Sequence, residues 1–130
     1  MTAKKSAQIT SAILYAVVGF QLLVVAGAPF GRYTQGGQIE GTLPASGRMM
    51  ALISAGLLLV MAFSVKALVN EGPFRNLAPS LIRRLAWITA IYSLVGTVMN
   101  SISRSPVERP WAFITLAGFF FTYRTLKLTK

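Results

Sequence analysis

The sequence contains no cysteine, no histidine and no aspartate, and its only acidic side chains are Glu40, Glu71 and Glu108. The absence of cysteine excludes disulfide bonds, thiolate metal sites and thiol catalysis. Three glutamates far apart in the chain supply neither a zinc or haem ligand set nor a carboxylate pair for acid and base chemistry. The composition therefore predicts a protein that is not an enzyme and that holds no metal or cofactor.

Charged residues of both signs make up only 12% of the chain, whereas 54% is hydrophobic and the mean hydropathy is +0.60. Such a chain is too apolar for an ordinary soluble domain, so a lipid bilayer is its expected solvent. Thirteen lysines and arginines give a formal net charge of +10. They cluster at the ends of apolar runs and not among interleaved aromatics, which argues against nucleic acid as a partner.

Four apolar runs, each long enough to cross about 30 Å of hydrocarbon as a helix, organise the chain. The first exceeds the apolar core of a signal peptide, and we interpret it as a retained span. The sequence thus predicts an all-α fold, an integral membrane four-helix bundle that forms a single domain over residues 1–130. The predicted spans are residues 9–28, 46–69, 81–101 and 108–126.

The start of the fourth helix is open between two positions. Ser105 as N-cap, Pro106 at the first helical position and Glu108 at the third make a plausible helix start. That start puts Pro110 one turn inside the helix, where it would cause a bend, whereas a start at Pro110 avoids the bend.

The longest connection, residues 27–48, holds six of the eleven glycines and two of the six prolines. This composition favours a series of defined turns over a helix. Its apolar side chains, Phe30, Tyr33, Ile39 and Leu43, indicate a packed cap and not a disordered linker. No Gly-Lys-Ser/Thr sequence follows a strand, so this glycine-rich segment is not expected to bind a nucleotide.

The basic residues are distributed unequally between the two ends of a four-span bundle. Nine fall on the side of both termini, at Lys4, Lys5, Lys66, Arg75, Arg83, Arg84, Arg124, Lys127 and Lys130. Four fall on the other side, at Arg32, Arg48, Arg104 and Arg109. By the positive-inside rule both termini are expected to be cytoplasmic and residues 27–48 extracytoplasmic.

Charged residues of both signs are expected to meet at the extracytoplasmic end of the bundle. The candidate cluster comprises Arg32, Glu40, Arg48, Arg104, Glu108 and Arg109. Either Arg–Glu pairs hold the cap to the turn between helices three and four, or the surplus arginines bind an anionic ligand or lipid headgroup. The topology leads us to expect at least one Arg–Glu pair between the two loops.

The third helix has one polar stripe. At 100° per residue, its members fall within about 40° of one line along the helix. They are Thr89, Ser93, Gly96, Asn100 and Ser103. The opposite face is apolar and suited to lipid, with Trp87, Ile91, Leu94, Val95, Val98 and Ile102. Small and polar residues bring membrane helices together, so the stripe is either a packing seam or the lining of a site or path.

Two stretches, GAPFGRYTQGGQIEGTLP with the following Arg48, and NSISRSPVERPW, resemble a group of small bacterial four-span membrane proteins without an assigned activity. The resemblance implies four spans and a bacterial cytoplasmic membrane, and it carries no catalytic residues across. Small multidrug transporters are similar in size and span number but rely on a glutamate within their first helix. This chain has no carboxylate there, nor an ionisable residue in any span core that would suggest proton coupling.

Two classes of function are consistent with these patterns. The first is binding or translocation of a lipid-like or small amphipathic molecule along the polar stripe. The second is a non-catalytic accessory or structural subunit of a larger membrane complex. The partners that a small-residue face can serve are another membrane protein or further copies of this chain in a homo-oligomer. A cavity inside the bundle that opens onto the stripe would favour the first class, and a tightly filled bundle with an exposed small-residue face would favour the second.

Overall fold

The computed structural model describes residues 1–130 as an all-helical fold without strands. Its four helices are α1 (Ala3–Val25), α2 (Ala45–Ala67), α3 (Pro79–Ser101) and α4 (Trp111–Leu128). Two short 3₁₀ turns, Gly31–Tyr33 and Gln35–Gly37, lie in the long connection between α1 and α2. We call the end of the bundle that carries this connection the loop end, and the opposite end, which carries both chain termini, the terminal end.

The helix ends follow from local chemistry. The Thr2 hydroxyl accepts a hydrogen bond from the Lys5 backbone N–H at 3.1 Å, so α1 starts several residues before its apolar run. At its other end Gly27 has a φ of +102°, and Ala28 N–H bonds back to Leu23 C=O at 2.9 Å. This is a Schellman ending, which stops α1 short of the predicted residue 28.

The same ending recurs after α2, where Asn70 takes the left-handed conformation with a φ of +61°. Glu71 N–H then bonds to Lys66 C=O at 3.0 Å. Pro79 occupies the first turn of α3, as the sequence predicts. Pro110 is the N-cap of α4. Of the two predicted starts of this helix, the one at Pro110 is therefore observed and the one at Pro106 is not.

The helices form a ring in which α1 packs along α2 and α4, and α4 packs along α3. Of the neighbouring pairs in this ring, α2 and α3 make the least extensive contact. The interior at the terminal end is filled by small hydroxyl side chains, all buried: Ser6, Thr10, Ser11, Ser64, Thr89, Thr122 and Thr125. The hydroxyls of Thr10 and Thr122 lie 3.5 Å apart across α1 and α4. Such short side chains let helix backbones approach closely, and most of these hydroxyls bond within their own helix.

Three helices, α1, α2 and α3, are long and apolar enough to cross a membrane. Arg124 and Lys127 lower the mean hydropathy of α4, which is not among them. The predicted lipid face of α3 is exposed along its whole length, from Trp87 to Ile102. Large outward-facing apolar side chains on an all-helical fold are typical of a multi-pass membrane protein.

Candidate functional site

The connection between α1 and α2 folds as a compact cap. Gly31 N–H bonds to Gly41 C=O at 2.8 Å, and the Thr42 hydroxyl bonds to Gly27 C=O at 2.7 Å, so the segment is tied back on itself. The ring of Phe30 stacks on Phe20 of α1 at 6.0 Å between centroids. Leu43 is buried, whereas the side chain of Ile39 is 44% exposed. The predicted packing therefore applies to Phe30 and Leu43 but not to Ile39.

Three hydrogen bonds join this cap to the turn between α3 and α4 and to the first residue of α4. The Ser105 hydroxyl donates to Arg32 C=O at 3.0 Å, and the Trp111 indole N–H donates to Tyr33 C=O at 2.9 Å. The Gly36 backbone N–H donates to Glu108 Oε1 at 3.4 Å. The two loops are thus held together mainly through backbone groups of the cap.

The expected Arg–Glu pair between the loops is not formed, and this expectation was wrong. The one ion pair within 4.0 Å joins Lys4 and Glu71 at the terminal end, at 3.0 Å. At the loop end, Arg48 Nε donates to Val25 C=O at 2.8 Å and Arg109 Nε donates to Ser103 C=O at 2.9 Å.

Backbone carbonyls explain this outcome. Val25 is the last residue of α1, and its carbonyl has no acceptor role inside the helix, so it offers a fixed partner to a guanidinium. An exposed Arg–Glu pair gains only about 0–1 kcal/mol and must immobilise two long side chains. The Glu108 carboxylate is meanwhile held by Gly36 N–H and, at 3.0 Å, by the Ser103 hydroxyl.

A cleft of about 640 Å³, which we call the loop-end cleft, lies between the cap and the turn that follows α3. Four of the six residues in the predicted charged cluster line it, namely Arg32, Glu40, Arg104 and Glu108. The two others, Arg48 and Arg109, are not among its lining residues. The structure therefore brings together two positive and two negative side chains in one open depression.

The residues of the polar stripe lie in different environments along α3. Thr89 and Ser93 are buried in the bundle, and Gly96 lies against α4, where an added Cβ would stand 3.3 Å from Thr115 Cγ2. Asn100 is half-buried, whereas Ser103 lies beyond the end of α3 and bonds Glu108.

One hydrogen bond between the side chains of α3 and α4 involves a residue outside the predicted stripe. The hydroxyls of Thr97 and Thr115 lie 2.9 Å apart. Thr97 is about 80° from Thr89 on a helical projection, outside the stripe as drawn. The small-residue face of α4, with Thr115 and Gly118, is the signal that could have extended the stripe toward Thr97.

A second space, which we call the bundle cavity, lies among all four helices and has a volume of about 380 Å³. Ten of its twenty lining residues are hydrophobic, so its wall is amphipathic. Ser93, Gly96 and Asn100 of the stripe line it, together with Gln21 of α1. The Gln21 Oε1 atom is shielded from solvent and accepts no hydrogen bond.

The bundle cavity begins below the cap, at Thr34 and Trp111, and extends as far as Ile13 and Gly118 in the middle of the bundle. Beyond it, the hydroxyl-rich packing around Thr10 closes the terminal end. The cavity is therefore a pocket with one closed end and not a passage through the bundle.

No family model, curated protein or solved structure matches this chain. The resemblance to small bacterial four-span proteins accordingly stays a prediction.

Proposed function

We propose that this chain is an integral membrane protein that binds a lipid-like or small amphipathic molecule in the bundle cavity. The carrying observation is the cavity itself, which is of ligand-binding size, lies inside the bundle and opens onto the polar stripe. Its wall combines apolar side chains with a shielded acceptor, Gln21 Oε1, that has no partner. Buried polar atoms are nearly always hydrogen-bonded, so this atom fits a donor group on a ligand.

The proposed topology has four spans, with α4 as the fourth. Supporting this, α4 packs along α1 and α3 over its length and exposes large apolar side chains such as Phe113 and Phe120. Arg124 and Lys127 lie in its last two turns, where long basic side chains can reach the headgroup region. We place both termini in the cytoplasm on the basis of the unequal distribution of basic residues, and we take the membrane to be bacterial from the resemblance alone.

Binding is a better account of this geometry than passage across the membrane. Passage would require the interior at the terminal end to open, where Thr10, Thr122 and their neighbours are fully buried. A purely accessory role has less support, because it is best served by a filled bundle, and this bundle has a cavity on its polar stripe.

The test is native mass spectrometry of the purified protein, with identification of any molecule that stays bound. Val17 lines the cavity, so Val17→Trp should obstruct it with an indole ring and abolish retention. Ala16→Trp is the matched control, because Ala16 is the neighbouring residue on α1 and is exposed. Retention that is lost in neither variant, or equally in both, would contradict binding in the cavity.

A further inference from the structure

We infer that the ligand is a single-chain amphiphile with a zwitterionic headgroup that carries a phosphate and an ammonium group. In this arrangement the headgroup lies in the loop-end cleft and the hydrocarbon chain lies in the bundle cavity. The inference rests on the proposed function, which it makes more specific.

The cleft and the cavity adjoin one another. Met99, Asn100 and Glu108 line both of them, so the two spaces are neighbours at the end of α3. Only two of the thirteen residues that line the cleft are hydrophobic, whereas ten of the twenty that line the cavity are, and the cavity lies between the helices. One molecule that reaches from the first space into the second must be polar at one end and apolar at the other.

The charges of the cleft favour a zwitterion over a simple anion. Arg32 and Arg104 are balanced in number by Glu40 and Glu108, and none of these side chains is paired with another within 4.0 Å. The guanidinium groups of Arg32 and Arg104 donate no hydrogen bond to the protein, and Arg32 lies 5.9 Å from the centroid of the Tyr33 ring.

The acidic side chains differ in their availability. Glu108 is held by Ser103 and Gly36, whereas Glu40 is exposed and accepts no hydrogen bond. The cleft therefore presents two free guanidinium groups, which suit a phosphate, and one free carboxylate, which suits an ammonium group.

The volume of the bundle cavity suits one hydrocarbon chain. The cavity measures about 380 Å³, and a methylene group takes roughly 30 Å³, about as much as a water molecule in the liquid, so the space accommodates much of one acyl chain. We therefore assign the cavity to a single chain.

Four probes, compared at equal concentrations by native mass spectrometry, test the roles of the chain, the phosphate and the ammonium group one by one. Lysophosphatidylethanolamine has the chain, the phosphate and the ammonium group. Lysophosphatidic acid lacks the ammonium group, monoacylglycerol lacks both charges, and glycerophosphoethanolamine lacks the chain. We expect the first probe to be retained about tenfold more than the monoacylglycerol, as loss of charge-assisted hydrogen bonds predicts.

Substitutions in the cleft test which side chains bind the phosphate and which bind the ammonium group. Arg32→Gln and Arg104→Gln should each reduce retention of lysophosphatidylethanolamine about tenfold. Glu40→Gln should remove its preference over lysophosphatidic acid. Arg75→Gln is the control, because it removes the same charge from an exposed residue at the terminal end. All four side chains are exposed, so the substitutions leave the helix packing in place.

Equal retention of lysophosphatidylethanolamine and monoacylglycerol would overturn the inference. So would retention of glycerophosphoethanolamine as strong as that of the chain-bearing probe, or cleft variants that behave like Arg75→Gln. If monoacylglycerol is nevertheless retained by the native protein and lost in Val17→Trp, the proposed function stands without the headgroup site. If the native protein retains none of the chain-bearing probes, both the inference and the proposed function fail.

Discussion

Gln21 places an amide in the last two turns of α1, and its Oε1 atom has no hydrogen-bond partner although solvent does not reach it. An unsatisfied buried acceptor costs about 1–3 kcal/mol. The chain therefore carries a local destabilisation at the wall of the cavity, which a ligand that donates a hydrogen bond would relieve.

Replacement of Gln21 by leucine should raise the free energy of unfolding of the ligand-free protein by about 1 kcal/mol or more, because the unsatisfied acceptor is removed. The same variant should retain less amphiphile. Thermal unfolding in detergent and native mass spectrometry measure the two effects, with Gln8→Leu as the control on the exposed face of α1. Lower stability with unchanged retention would mean that Gln21 has a packing role only.

Substitutions at Gly36 and Gly37 distinguish the cost of a strained backbone conformation from the cost of a clash between the cap and the turn after α3. Both have positive φ, +82° and +68°, but only at Gly37 would a Cβ meet another loop, 2.5 Å from the Ser105 Cβ. Gly36→Ala should cost about 1 kcal/mol through its conformation alone. Gly37→Ala should cost more and speed hydrogen exchange in residues 27–48, whereas equal effects would show that the two loops do not depend on this contact.

At the scale of the helices, α3 and α4 meet where Gly96 faces Thr115. Gly96→Leu should lower the free energy of unfolding by about 1–3 kcal/mol, because a large side chain pushes the two helices apart. Val98→Leu on the exposed side of α3 should change it little. Thermal unfolding of both variants in detergent provides the comparison, and equal shifts would show that this face of α3 is not a packing seam.

The helices themselves could be predicted because apolar run length, proline and glycine act locally. Pro79 opens α3 and the Asn70–Gly72 turn ends α2 for reasons contained in a few residues. The start of α4 could not be predicted in this way, because Ser105 contacts a residue that lies 73 positions earlier in the chain. The Ser105 hydroxyl bonds to Arg32 C=O across the loops and does not cap the helix, so a good local signal was overridden by tertiary structure.

At the scale of the whole molecule, the proposed orientation in the membrane is inferred from nine basic residues at the terminal end against four at the loop end. The absence of native cysteine makes the test direct. A cysteine introduced by Gln38→Cys should react with a membrane-impermeant maleimide in intact cells, and one introduced by Asn76→Cys should react only after lysis. The reverse labelling pattern would place both termini outside.

The candidate site shows which properties sequence patterns do not encode. The charged residues of the two loops were expected to meet, and four of them do line one cleft. Their partners could not be predicted, because backbone carbonyls such as that of Val25 compete with the glutamates and carry no signature in the sequence. The cavity could not be predicted either, since it depends on how all four helices pack together.

The most direct test of binding in the bundle cavity is photo-crosslinking with a single-chain amphiphile that carries a diazirine within its acyl chain. Adduct positions are read by peptide mass spectrometry after irradiation in membranes. We expect adducts on cavity residues such as Val17, Gln21 and Ser54, and their suppression in Val17→Trp. Adducts confined to the exposed face of α3, at Ile91 and Val98, would show that the chain contacts bulk lipid only and would contradict an amphiphile site inside the bundle.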